Sequence, residues 1–104
     1  MSLTIVITRD VQGRYRGFLG SVMLEIAPGT YVSPRMSKGV RERVWDVISG
    51  WHAELGQGSL TLIWRDKAAP GGVRVAQCGE PPKELVEADV MLLARRALKA
   101  RTSD

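Results

Sequence analysis

The sequence predicts an α+β fold in which two helices cover one face of a single sheet. Three observations carry that prediction. Short β-branched runs alternate with two longer stretches of helical period, in the order strand, helix, strand, strand, helix, strand. Turn signals at Ala27-Pro28-Gly29 and Pro70-Gly71-Gly72 join neighbouring strand candidates as hairpins. At 104 residues, 44% of them hydrophobic and 25% charged, the chain has material for one core and one domain.

Leu3 to Thr8 (LTIVIT) is short, β-branched and bounded by charge, which predicts a buried strand. From Gln12 the period changes. Tyr15, Phe18, Leu19 and Val22 fall on one helical stripe and leave Arg14, Gly17 and Ser21 outside, so the first helix is expected to end near Val22. Leu24-Glu25-Ile26 and Thr30-Tyr31-Val32 then flank the Pro28-Gly29 turn as the second and third strands. Ser37 is placed to cap a second helix whose stripe of Val40, Val44, Val47, Ile48, Trp51 and Leu55 holds for four turns. Gly56-Gln57-Gly58 stops it.

Ser59 to Trp64 and Val73 to Cys78 read as a further hairpin across the loop Asp66 to Gly72. Glu80-Pro81-Pro82 interrupts the chain. VMLLARRALKA has helical composition and a last-strand position, and a short strand at Val90 to Leu93 is the expectation. The layer plan that buries these stripes is a ferredoxin-like βαββαβ sandwich with an added hairpin strand and a short C-terminal strand, over residues 1–94. Residues 95–104, with Arg95, Arg96, Lys99 and Arg101 against Asp104, are expected to form a basic, mobile tail.

Fifteen basic against eleven acidic residues leave a charge of +4, which favours a polyanionic partner. Cys78 is the only cysteine, which excludes an internal disulfide and a cysteine cluster for zinc. A reducing, cytoplasmic setting follows, and the absence of a signal-like start or a long apolar run points away from the membrane. His52 lies beside the apolar stripe of the second helix with no partner for a triad, so it reads as a boundary histidine. Cys78 ends a strand with no activating neighbour and reads as structural. Gly56-Gln57-Gly58 lacks the third glycine and preceding strand of a dinucleotide fingerprint. Trp51 and Trp64 read as core residues, which leaves Trp45 as the one tryptophan placed to face outward. Arg16-Gly17-Phe18 echoes an RNA-recognition motif, but on a helix and without the later aromatics.

Candidate chemistry gathers just past the first strand. Asp10 there is a helix cap, a loop ion-pair partner, or a hard-cation ligand; as a ligand it would need a second copy across a two-fold axis to share one Mg²⁺. Arg14 and Arg16 stand at the mouth of the first helix, where amide N–H groups and the helix dipole also attract phosphate. The competing reading is solvated surface. Arg35 and Lys38 bracket the start of the second helix, with Arg41 and Arg43 beyond, and helices lying side by side could join both groups in one strip.

The string LTIVITRDVQGRYRGFLGSVMLEIAPGTYVSP followed by SKGVRERVWDVI resembles the small CRISPR-associated protein of spacer acquisition, in its subtype I-E form. The strand ending at Thr8, Arg14-x-Arg16-Gly17, Leu24-Glu25 with Gly29-x-Tyr31-Val32, then Ser37, Arg41-Glu42 and Trp45 carry the likeness over residues 1 to 64. It continues more loosely through Cys78-Gly79 and Pro82.

The resemblance implies a ferredoxin-like homodimer that bridges integrase dimers in the CRISPR adaptation complex and supports a protospacer duplex by its backbone. Arg14 and Arg16 match the family's DNA-contacting pair, and Lys38 matches a further basic contact with an offset of one place. The segment Val90, Met91, Leu92 and Leu93 corresponds to the strand that docks on the integrase. No cofactor is implied for that scaffold role. Other branches are described as metal-dependent endonucleases acting on RNA or DNA through an aspartate at the end of the first strand, which here makes Asp10 the candidate catalytic and Mg²⁺-binding residue. Their tyrosine-aspartate signature is absent, and Arg9 beside Asp10 would compete with a cation. A regulatory module binding a small ligand or protein is the third reading of such a fold.

Overall fold

The computed structural model describes residues 1–79 together with the strands at 84–88 and 91–95. Among the described residues seven strands and two α-helices follow one another: β1 Ser2–Arg9, α1 Gly13–Val22, β2 Leu24–Ala27, β3 Thr30–Met36, α2 Lys38–Leu55, β4 Ser59–Arg65, β5 Val73–Cys78, β6 Glu84–Ala88 and β7 Met91–Arg95. β1 to β5 form one sheet in the order β2-β3-β1-β4-β5, and every adjacent pair is antiparallel. β3 thus lies between β1 and β2 across the first helix connection, and β4 flanks β1 on the other side. That is the expected ferredoxin-like plan with β5 added at one edge.

Alternation along β1 sorts its side chains. Thr4 and Val6 are fully buried, while Leu3 and Ile7 are exposed on the other face. Val6 joins Tyr31, Leu60 and Leu62 from neighbouring strands, Tyr15, Leu19 and Met23 from the α1 side, and Val44 and Ile48 from α2, in one core. Both helices therefore lie on the same face. Ser37 caps α2 as expected, its hydroxyl accepting from Val40 N–H at 3.2 Å, and Gly56 ends the helix in the left-handed conformation at φ 67°.

The helical stripes are narrower than the apolar spacing predicts. Val22 is 41% exposed and the following Met23 takes its place in the core, because α1 ends at Val22 and the chain turns extended there. Val40 and Leu55 are likewise exposed, one in the first turn and the other at the last residue of α2. β3 is longer than expected. It passes through Pro34 to Met36 because the β1–β3 register slips by one residue between Ser2↔Met36 and Thr4↔Ser33, and such a slip spares the proline from donating to the ladder.

The loop between β4 and β5 holds a single 3-10 turn at Pro70–Gly72, braced by Asp66. Arg74 Nε and Ala68 N–H both donate to the Asp66 carboxylate, which holds that carboxyl below the usual range. β6 and β7 pair antiparallel as a separate two-stranded sheet. β6 was not expected, since Glu84 to Ala88 shows neither clean alternation nor β-branched enrichment. β7 replaces the expected strand at Val90 to Leu93 with Met91–Arg95; Val90 lies outside the described residues. Arg95, the first residue of the expected tail, closes β7, and residues 96–104 also lie outside the described part.

Candidate nucleic-acid interface

The mouth of α1 is built by three backbone constraints. β1 ends at Arg9, and Asp10 turns the chain with φ 57°, the left-handed region that aspartate tolerates better than most residues. Gly58, at φ 77°, passes so close that a Cβ there would overlap Arg9 O and stand 2.5 Å from Asp10 O. Gln12 then begins α1 without a side-chain cap, and its Nε2 donates instead to Gln57 Oε1 at 2.8 Å, tying the helix start to the α2–β4 loop.

The first turn of α1 contains Arg14 and Arg16 and no acidic residue. A helix N-terminus is partially positive and stabilises carboxylates, so two cations at this end work against the helix unless an anion joins them. Their spacing sends them to different neighbours. The Arg14 guanidinium lies over the Trp51 ring of α2, 4.9 Å from its centroid. Arg16 reaches the β2 side, where its Nε stands 3.4 Å from Glu25 Oε1.

Glu25 is anchored independently, with Oε2 accepting from Gly29 N–H at 3.1 Å. Burial, and then Glu25 beside it, push the Tyr31 hydroxyl above its ordinary pKa. The Arg16 side chain remains 76% exposed, so its pairing with Glu25 is screened and leaves it open to a stronger anion. It borders an open cleft of about 610 Å³ that also takes in Thr8, Gln12, Gly13 and Glu25.

Arg35 and Lys38 are exposed at the end of β3 and the first residue of α2. The Ser2↔Met36 pairing sets them beside the start of β1, whereas Arg14 and Arg16 lie beyond its end. Eight residues of strand separate the two groups by about 23 Å. They occupy opposite ends of the helical layer instead of one cluster.

Arg41, farther along α2, lies 4.6 Å over the Trp64 ring. Trp45, the one tryptophan whose position left an outward placement open, is half-buried against the core, as are Trp51 and Trp64. The two arginine–tryptophan stacks were missed by sequence reasoning. The spacing of both tryptophans marks them as core residues and carries no sign of which side chain covers a ring.

Asp10 is exposed. Among the described residues no group of three His, Cys, Asp or Glu side chains is placed to hold a metal ion. His52 is half-buried with Nε2 3.0 Å from Gly58 O, a loop brace as its boundary position suggests. Cys78 is half-buried beside the core, and burial pushes its thiol up, away from the thiolate a nucleophile needs. Met91, Leu92 and Leu93 lie in β7, opposite Ala88, Glu87 and Val86 of β6. Among the described residues no helix is long and apolar enough to cross a membrane.

Fold and site together define a ferredoxin-like α+β domain that presents arginines at an uncapped helix end. A family model described as CRISPR-associated protein (Cas_Cas2CT1978) matches residues 3–93, and the chain belongs to that family.

Proposed function

We propose that this chain is the scaffold subunit of a CRISPR adaptation complex of the subtype I-E kind, a homodimer that bridges integrase dimers and holds protospacer DNA by its backbone. One observation carries the reading: two arginines stand in a first turn of α1 that holds no acidic residue, and the carboxylate that meets one of them, Glu25 at Arg16, makes only a screened contact, so a bound phosphate is favoured there. Arginine contacts of this kind grip phosphate without reading bases, which suits a protein that positions foreign fragments of any sequence.

The open face of the sheet supports the dimer. Leu24, Val32, Ile5, Ile63 and Val75 stand opposite one another in register, so one apolar row crosses all five strands on the face away from the helices. Two such faces stacked about a two-fold axis would cover each other and leave both helical layers, with their arginines, outward. Met91, Leu92 and Leu93 in the β6–β7 sheet, with Val90, are the surface proposed to meet the integrase.

The second reading, a Mg²⁺-dependent endonuclease, draws on Asp10, whose left-handed backbone at a strand end is the kind of strained position that active sites hold. One reconstitution separates the two. The chain mixed with the integrase of its own CRISPR locus and a DNA duplex should co-elute as one assembly, and Asp10→Asn should assemble and support spacer insertion equally well. Failure to co-elute would defeat the scaffold reading. Cleavage of DNA or RNA by the chain alone, abolished both by chelator and by Asp10→Asn, would establish the enzyme in its place.

A further inference from the structure

We propose that Trp51 is the positioning residue for Arg14, an indole platform that holds the guanidinium ready at the α1 mouth for a DNA phosphate; the inference rests on the backbone-gripping reading above. The Trp51 ring is itself fixed from the α1 side. The Tyr15 ring meets it edge-on at 5.2 Å and 90°, and the Phe18 ring at 5.6 Å and 72°. Arg14, one residue before Tyr15, is thus laid on a surface that its own helix helps to orient.

A guanidinium over an aromatic ring is held through its face, whereas its N–H donors lie in its plane and stay available for bidentate contact with phosphate oxygens. Restricting the long side chain beforehand lowers the entropy lost when DNA arrives. Among the described residues no carboxylate forms an ion pair with Arg14.

The second stack shows why the neighbourhood matters. Arg41 over Trp64 borders a groove shared with Glu42 and Asp46, and it lies near enough to Asp66 to help lower that carboxyl. That guanidinium stands near acidic groups of its own chain, although it forms an ion pair with none of them among the described residues. It ties α2 to β4, away from the α1 mouth, which leaves Arg14 as the stacked arginine placed at that mouth.

The test is a double-mutant cycle on the full chain, read as Kd for one duplex at fixed salt, with thermal midpoints recorded for every variant. Trp51→Leu should weaken binding about two- to fivefold and Trp51→Phe, which keeps a ring under the cation, by less. In the Arg14→Ala background Trp51→Leu should cause no further loss, and Trp64→Leu should leave Kd unchanged. Wild-type binding by both Trp51 variants, or the same loss with and without Arg14, would overturn the platform while leaving Arg14 as a DNA contact. Wild-type binding by Arg14→Ala would overturn the DNA contact and the platform together. Should Trp51→Leu fail to fold, Trp51→Phe with and without Arg14→Ala decides the question by the same coupling.

Discussion

Replacing Arg14 and Arg16 together by alanine is expected to weaken duplex DNA binding by at least about tenfold near physiological salt. The same change should reduce the magnitude of the log Kd against log salt slope by about 1.8, since each lost phosphate contact removes roughly 0.9 on B-DNA. The fold should hardly notice. Arg16 is an exposed partner of Glu25, a pair of the sort worth no more than about 1 kcal/mol. Glu25 keeps Gly29 N–H when Arg16 is removed, so no new buried charge is stranded. Relieving two cations from the positive end of α1 even favours the helix slightly. Affinity should therefore fall while the thermal midpoint stays within a few degrees of wild type. An unchanged slope would take both arginines out of the interface.

The second large effect is on stability. Gly58→Ala is expected to cost about 2 kcal/mol or more, a drop of about 10 °C in thermal midpoint for a chain of this size. Gly58 has φ 77°, and an added Cβ would run into the backbone at Arg9 and Asp10, which cannot swing aside as a side chain could. Arg9 is paired with Ser59 in the β1–β4 ladder, so relief requires opening the end of that ladder and moving the turn that feeds α1. Gly56→Ala is the control. It too has positive φ, 67°, but its Cβ would meet nothing within 4 Å, so only the left-handed penalty of about 1 to 2 kcal/mol applies. The larger loss should come with a weakened DNA interface, because Arg14 and Arg16 stand at the start of the helix that the displaced turn feeds. Equal midpoints for the two variants would mean that the close approach of Gly58 to β1 is not a constraint on the fold.

How much of this was legible in the sequence depended on how local each signal is. Ser37 and Gly56 announce the ends of α2 through their own backbone preferences, and the structure uses both as read. Val73 to Cys78 is a short run closed off by Gly71-Gly72 on one side and Gly79 on the other, and it is β5 to the residue. The first three strands and both helices fell in place because β-branched runs and helical stripes do not overlap there. β3 runs past its expected end because Pro34 argues against a strand until a neighbouring register slip accommodates it, and register is a property of two strands at once.

The same limit governs the site. Arg14 and Arg16 could be placed at a helix mouth from their position alone, and the family likeness gave them a role. That Arg14 rests on Trp51 and Arg16 beside Glu25 could not be read, because each contact joins segments that meet only when α1 packs against α2 and β2. Arg35 and Lys38 show the converse. Side-by-side helices suggested one basic strip, yet antiparallel helices put their N-termini at opposite ends of the layer.

The claim on which all of this depends is that the helical layer grips sugar-phosphate without reading bases. Titrating the wild-type chain with two duplexes of equal length and unrelated sequence, between about 50 and 200 mM salt, tests it most directly. The two affinities should agree at every salt concentration and fall together as salt rises. A tenfold preference for one sequence, or affinity indifferent to salt, would contradict it.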